Sequence, residues 1–146
     1  MSETSSGQQA AAVAVFDPFA GADPAVGALR DALRAEGVDA EITSDPASAV
    51  AADGLVVAAS GDAAEVLRVL RNTQVDRVVG QRLAGSRPVL VVGAAMDALF
   101  ERAADGAAGF GEWPGGVVKL DAPVERAEVA AADGSQMLDG AQEFVF

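Results

Sequence analysis

Apolar and polar positions follow two different periods along the chain, and the changes between them predict a series of strands and helices. Short unbroken apolar runs are typical of strands that are covered on both faces. Three such runs occur, AAVAVFD (11–17), GLVVAAS (54–60) and PVLVV (88–92). The segment VDAEIT (38–43) alternates instead, as a strand with one solvated face does. The sequence therefore predicts four strands.

Segments with helical spacing follow the first, third and fourth of these strands. One runs from Pro24 to Gly37, a second from Asp62, a candidate N-cap, to Gly85, and a third follows residue 95. Parallel strands need crossover connections, and helices normally supply them. The alternation predicts an α/β fold with a mostly parallel sheet and helices on both faces.

The rhythm changes after Ala103, where short extended pieces replace the alternation and the chain ends on EFVF. We expect these pieces to be short antiparallel additions at one edge of the sheet, and we expect the last apolar strand to be covered. Residues 1–11 are polar and predict a flexible tail. Residues 12–146 then form a single domain of a size that can bury its own core.

Composition narrows the classes of partner. The chain has 22 acidic and ten basic residues, a net charge of −12, and no basic run, so we expect no nucleic-acid ligand. No apolar run approaches the ~20 residues that span a bilayer, and the first residues lack the pattern of a signal peptide. We therefore expect a cytoplasmic protein that does not associate with a membrane.

The chain contains neither histidine nor cysteine. This removes Cys-His and Ser-His-Asp catalysis, zinc sites built from those residues, and imidazole acid-base chemistry. Neither GxGxxG nor GxxxxGK[ST] occurs, which argues against the usual binding modes of dinucleotides and nucleoside triphosphates. We expect no metal and no cofactor.

Six segments, in this order, carry a family resemblance: VAVFD (13–17), TSDP (43–46), ADGLVV (52–57), RPVL (87–90), MDALFE (96–101) and GEWPGGVVKLDAPV (111–124). Together they resemble the glutaminase subunit of imidazole glycerol phosphate synthase, a class I glutamine amidotransferase of histidine biosynthesis, in its actinobacterial form. The resemblance implies a flavodoxin-like class I glutamine amidotransferase fold. It also implies a surface suited to a cyclase-type protein partner.

The chain departs from this family at the positions that the family uses for chemistry. Gly93 stands where the resemblance places the cysteine nucleophile, and Ala95 replaces a close-packing glycine. Residues 58–62, AASGD, replace a proline-glycine-rich turn that stabilises the oxyanion. Glu125 to Glu128 replaces a proline-histidine-methionine-glycine-tryptophan run, and the sequence ends at Phe146 before the family's His-x-Glu pair.

These departures predict a degenerate, truncated relative with no catalytic residue, that is, a pseudoenzyme and not an enzyme. We expect it to act by protein binding or regulation, with a cyclase-type subunit or a second copy as partner. The alternative is a small-metabolite-binding domain that uses the crevice at the carboxyl ends of the strands. A vestigial pocket there would comprise Asp17, Ser60, Gly61, Gly93 and Ala94. An enzyme with new carboxylate chemistry is a third hypothesis.

Each candidate also has a purely structural interpretation. Asp17 precedes a proline and suits a turn, while Ser60 to Asp62 suits a helix cap as well as an anion cradle. Trp113 is either a partner anchor or a packing residue of the C-terminal extension. We expect Gly93 to lie in a quiet turn without strained backbone; a positive φ there would indicate that the old corner survives as scaffold.

Overall fold

The computed structural model describes residues 12–137 and 143–145. The predicted tail, residues 1–11, lies outside the described residues. Among those described, no helix is both long enough and apolar enough to cross a bilayer.

The centre of the fold is a parallel sheet of four strands in the order β2-β1-β3-β4. The strands are β1 Ala12–Phe16, β2 Asp39–Thr43, β3 Gly54–Ala59 and β4 Val89–Gly93. Within this sheet β1 pairs with both β2 and β3, and β3 pairs with β4. The two central strands carry the most continuously apolar sequences and are almost completely buried from Val15 to Phe16 and from Leu55 to Ala59. Four strands were predicted, and all four form.

Helices cover both faces of this sheet, as the sequence predicts. Helix α1, Pro24–Ala35, packs on one face, where Val26 meets Val15, Ala40 and Val56. Helices α2 (Pro46–Ala51), α3 (Ala63–Asn72) and α4 (Val75–Ala84) contribute to the core on the other face. Because side chains alternate along a strand, Phe16 and Val57 face this larger core while Val15 and Val56 face α1.

Two helical predictions need correction, and one helix was missed. The segment after Asp62 forms two helices, α3 and α4. Gln74 adopts a left-handed conformation (φ 63°) between them and serves as the N-cap residue of α4. The segment after Gly93 is a short 3₁₀ helix, Ala94–Leu99, followed at once by β5, Phe100–Arg102. Helix α2 was not predicted, since its six residues are too few to show a periodic stripe.

Two arginines, the buried Arg82 and the half-buried Arg87, hold the end of α2 against the sheet. Arg82 is fully buried, and its guanidinium donates to five backbone carbonyls at 2.7–3.1 Å, those of Ala49, Val50, Ala52, Asp53 and Pro88. Arg87 donates to three carbonyls of the same turn. Burial, with the nearby Arg87 charge, lowers the pKa of Arg82, while Asp53 opposes the shift. The arginines thus satisfy carbonyls that a helix end leaves without partners.

The C-terminal part forms two small sheets that are separate from the central one. Strand β5 pairs in parallel with β6, Trp113–Gly116, and β7, Arg126–Glu128, pairs antiparallel with β8, Glu143–Val145. The antiparallel extension is therefore present as β7–β8. Its predicted place at the edge of the main sheet is wrong, because neither pair joins that sheet.

Candidate functional site

A crevice lies at the carboxyl ends of β1 and β3, where open parallel sheets commonly bind ligands. Its cavity measures about 220 Å³ and lies between the start of α1 and the start of α3. The polar residues that line it are Asp23, Ser60, Asp62 and Glu65. Three of these four are carboxylic acids, and neither lysine nor arginine lines the cavity, so the crevice disfavours anionic ligands.

Asp23 and Ser60 join the two sides of this crevice. Asp23 is the N-cap of α1 and accepts from the Ala25 amide at 2.9 Å. Its carboxylate also accepts from the Ser60 amide at 2.7 Å and from the Ser60 hydroxyl at 3.0 Å. Burial opposes the charge, but these three hydrogen bonds outweigh it and lower the pKa of Asp23 below its usual value.

The chemistry of this pair favours a structural role. Ser60 carries the only hydroxyl that lines the cavity, and that hydroxyl donates to Asp23. A carboxylate with a lowered pKa is a weak base, so it orients the hydroxyl without activating it as a nucleophile. Asp23 was missed at the level of sequence, although an Asp-Pro step before a helix is a recognisable capping signal.

We name residues Ser60–Asp62 the β3 corner, because they follow β3 and lead into α3. Asp62 is the N-cap of α3, and its side chain accepts from the Glu65 amide at 3.0 Å. Gly61 has φ +106° with open space where a Cβ would stand. The capping prediction for Asp62 is therefore confirmed.

Asp17, from the first strand's end, turns toward its own loop. Its carboxylate accepts from the amides of Phe19 at 3.0 Å and Gly21 at 2.6 Å. The side chain is nearly buried, at 9% exposure, and is not among the residues that line the crevice. These contacts are those of a turn-forming aspartate, one of the two interpretations that the sequence left open.

We name residues Gly93–Ala95 the β4 corner. Gly93 pairs with Ala59 of β3 and has φ 71° and ψ −146°, a region that is essentially restricted to glycine. A Cβ at this position would collide with the carbonyl oxygen of Ala59. Glycine adopts this conformation without strain, so the geometry does not contradict the expected quiet turn, and the positive φ agrees with a corner that survives as scaffold.

The structure brings together only part of the predicted pocket. Ser60 and Gly61 line the crevice, whereas Asp17, Gly93 and Ala94 do not. Asp97 lies on the 3₁₀ helix Ala94–Leu99 that leads out of the β4 corner. Its carboxyl has no hydrogen bond among the described residues, and burial raises the pKa of that carboxyl. No group of three or more metal-ligating acidic side chains occurs within the described part of the chain.

The remaining candidates lie in the C-terminal part. Trp113 packs edge-on against Phe100, with ring centroids 5.5 Å apart, and stays 47% exposed. Residues Arg126–Glu128 form β7 and are largely exposed. Trp113 therefore packs within the C-terminal extension, while half of its surface remains accessible.

Comparison with known proteins identifies the relatives of this chain. Imidazole glycerol phosphate synthase subunit HisH of Thermobifida fusca is 50% identical over 104 residues, which are 67% of this chain and 49% of the relative. The subunit HisH of Corynebacterium diphtheriae is 41% identical over 124 residues, 78% of this chain and 59% of the relative. The chain is a relative of imidazole glycerol phosphate synthase subunit HisH.

The chain spans about half the length of the HisH relatives that it matches. No protein-family model matches it. Among solved structures, a peptidase E-type protein of Listeria monocytogenes EGD-e superimposes with a TM-score of 0.53 at 17% identity, over 66% of this chain and 53% of that one. This likeness bears on the fold alone and confirms the flavodoxin-like, class I glutamine amidotransferase-like architecture.

The HisH relatives correct one expectation. From its residues the chain is expected not to be an enzyme, and this is wrong, because relatives at 40–50% identity are named as a subunit of a synthase. The expectation rested on residue types missing from a chain that spans half the length of those relatives. The absence of histidine and cysteine from this chain does not test for catalytic groups that another polypeptide supplies.

Proposed function

We propose that this chain works in histidine biosynthesis as a glutamine amidotransferase-like domain and contributes by binding a protein partner of the cyclase type. The observation that carries the proposal is the 40–50% identity to a named synthase subunit. A synthase subunit works with other subunits, so binding is the property that such a domain needs first. A cytoplasmic location and a single domain belong to the same proposal.

The geometry of the β4 corner supports a role in binding a protein partner. Gly93 has no side-chain atom that can attack an amide, and its backbone leaves no room for a Cβ. If Gly93 occupies the nucleophile position, glutamine hydrolysis by this chain would need a group from elsewhere. Glutamine hydrolysis is accordingly measured with and without the partner.

Exposed apolar side chains supply a surface for the partner. Val118, Leu120 and Val124 are 83%, 67% and 44% exposed. They belong to the segment 111–124 that resembles the glutaminase subunit. The first part of this segment, β6, pairs with β5, whereas residues 118–124 beyond it are all exposed. Apolar side chains that are exposed together indicate a surface that another molecule covers. We place the partner on residues 117–124.

The test is a binding titration between the purified chain and the cyclase-type subunit of the Thermobifida fusca synthase. We expect saturable binding, and we expect Leu120→Asp to weaken it at least 10-fold, or about 1.4 kcal/mol. The matched control is Ile42→Asp, which adds the same charge at an exposed apolar position on β2. Absence of binding at micromolar concentrations would contradict the proposal. A measurable rate of glutamine hydrolysis by the chain that is the same with and without the partner would also contradict it.

A second candidate function is supported by the crevice at the strand ends, whose cavity of about 220 Å³ is lined by both apolar side chains and polar, mainly acidic ones. Its acidic lining favours a small cationic or neutral metabolite. A thermal-shift screen of amino acids and small amines tests this directly, since a ligand at 100 times its dissociation constant adds about 2.7 kcal/mol of stability. The variant Ser60→Ala, on the crevice wall, should weaken any such shift.

A further inference from the structure

The segment that follows β7 returns to the central sheet at Met137. Strand β4 is an outer strand of that sheet, and two open cavities flank it, one of about 280 Å³ and one of about 400 Å³. Met137 lines both of these cavities. Among the described residues that follow β7, no other lines either of them. Met137 is therefore the point at which this segment meets β4.

The two cavities lie on opposite faces of the sheet. The smaller one includes Val79 and Leu99, which belong to the larger core. The other includes Leu33 and Val56, which belong to the core beneath α1. Since one side chain lines both cavities, Met137 lies across the outer side of β4. An unbranched, flexible thioether is suited to two apolar surfaces of different shape.

Met137 also carries the most accessible sulfur atom in the described part of the chain. The sequence has three methionines and no cysteine. Met137 is 72% exposed, whereas Met96 is 45% exposed, lies on the 3₁₀ helix Ala94–Leu99 and lines neither cavity. Peroxides oxidise accessible thioethers to sulfoxides. Of these two methionines, Met137 is the one that a peroxide reaches more readily.

We propose that Met137 is an oxidation site and that its sulfoxide releases the segment 129–137 from β4. Hydrogen peroxide transfers one oxygen atom to the sulfur of Met137. The O–O bond breaks, an S–O bond forms, the sulfur loses two electrons, and the peroxide leaves as water. A methionine sulfoxide reductase, with a thiol as reductant, reverses the step. This inference does not depend on the proposed function, which concerns residues 117–124.

The polarity of the sulfoxide is the reason for the release. The other residues that line the smaller cavity are aliphatic apart from Trp113: Val79, Leu83, Val89, Leu90, Val91 and Leu99. A sulfoxide oxygen held among these side chains would lose hydrogen bonds to water, which costs free energy. Because Met137 is already largely exposed, its side chain can turn into the solvent instead. Oxidation therefore shifts the equilibrium from the attached to the released segment.

The test uses Trp113, the only tryptophan of the chain, which lines the same cavity as Met137. The purified chain is treated with hydrogen peroxide, the oxidised residues are located by peptide mass spectrometry, and tryptophan fluorescence is recorded. We expect Met137 to be oxidised before Met96, with a red shift of the emission because water replaces an apolar neighbour. Methionine sulfoxide reductase should reverse the shift, which excludes damage to Trp113 itself. Earlier oxidation of Met96, or unchanged emission once Met137 is oxidised, would overturn the proposal.

Met137→Leu and Met96→Leu are matched control variants. Each removes one sulfur atom and keeps an apolar side chain of similar volume. We expect Met137→Leu to lose the whole peroxide-dependent shift and Met96→Leu to retain it. A shift that persists in Met137→Leu, or that is lost in Met96→Leu, would show that Met137 is not the responsible site.

Met137→Gln tests whether polarity causes the release. Glutamine places a polar amide where the sulfoxide would stand, and the position is exposed enough that the fold should tolerate it. We expect this variant to show the red-shifted emission of the oxidised wild type without peroxide, with an unchanged circular dichroism spectrum, and no further shift with peroxide. Emission equal to that of Met137→Leu would contradict the proposal, because the polar group would then remain against β4.

Discussion

The β3 and β4 corners occupy equivalent places at the carboxyl edge of the sheet but are built in opposite ways. The β3 corner is held by side chains, since Asp23 binds both the amide and the hydroxyl of Ser60, and Asp62 caps α3. The β4 corner has no such side-chain hydrogen bonds among the described residues; Gly93 lies at φ 71° and ψ −146° against the Ala59 carbonyl, and Ala95 is buried in the core. One corner depends on polar groups, and the other depends on the absence of a Cβ.

This difference bears on how each corner could serve a ligand. The polar groups of the β3 corner already have partners within the chain, so a ligand would have to compete with those partners. At the β4 corner the side chains are small. Asp97, on the 3₁₀ helix that follows, is partly buried, and its carboxyl has no hydrogen bond among the described residues. The pKa of Asp23 is lowered by hydrogen bonds, whereas that of Asp97 is raised by burial. The variants below test this difference.

The largest effect is expected from Gly93→Ala. Its conformation is nearly inaccessible to other residues, and the new Cβ meets a backbone oxygen, so we expect the free energy of unfolding to fall by about 3 kcal/mol or more. Gly93→Cys adds the same Cβ and should be similarly destabilised. Urea denaturation monitored by circular dichroism measures both.

Gly61→Ala is the matched control in the β3 corner. Gly61 also has positive φ, but open space surrounds its Cβ position, so the cost should be limited to about 1–2 kcal/mol of backbone strain. If Gly93→Ala costs no more than Gly61→Ala, the two corners do not differ in the way proposed here.

The strands were predictable because their signal is local. The apolar runs that predicted β1 and β3 at 11–17 and 54–60 differ from the observed strands Ala12–Phe16 and Gly54–Ala59 only at the ends. Helix α2 was missed because its six residues show no periodic stripe, and the arginines that bind its carbonyls, Arg82 and Arg87, lie 30–37 residues away in the sequence. Gln74 gives no periodic signal, so the break between α3 and α4 could not be read from spacing.

The candidate site was less predictable than the fold. Its central contact joins Asp23 to Ser60 across 37 residues, and single-sequence patterns carry no information on such pairs. Gly93 was identified through the family resemblance, but its φ and the close approach of Ala59 depend on how β3 and β4 pair. Sequence reasoning therefore placed the corners correctly without giving the contacts that hold them.

Asp23→Asn is expected to have an intermediate effect. The amide nitrogen of asparagine would face a donor at Ser60, and a partly buried donor without an acceptor costs about 2 kcal/mol. The pKa of Asp23 is lowered from 3.8, so its stabilisation is present above that value and is lost as the pH falls through the lower folded-state pKa.

Urea denaturation of the wild type and of Asp23→Asn at pH 7 and below pH 3.8 tests this. The difference in the free energy of unfolding between the wild type and Asp23→Asn should be largest at pH 7. It should shrink below pH 3.8, because the wild-type carboxylate becomes protonated there. A difference that is independent of pH would indicate that the charge of Asp23 does not hold the β3 corner.

Asp97→Asn should have the smallest effect, and of the opposite sign. Burial raises the pKa of Asp97 from 3.8, so its ionised form is disfavoured by folding at neutral pH. The variant should therefore be more stable than the wild type at pH 7, by about 0.5 kcal/mol or less, as is typical of partly exposed positions. The advantage should vanish as the pH falls through the raised folded-state pKa to below 3.8, where both folded and unfolded wild-type chains are protonated. Destabilisation at pH 7 would instead indicate that the carboxylate of Asp97 is stabilised in the folded chain, and the contrast between the two corners would no longer hold.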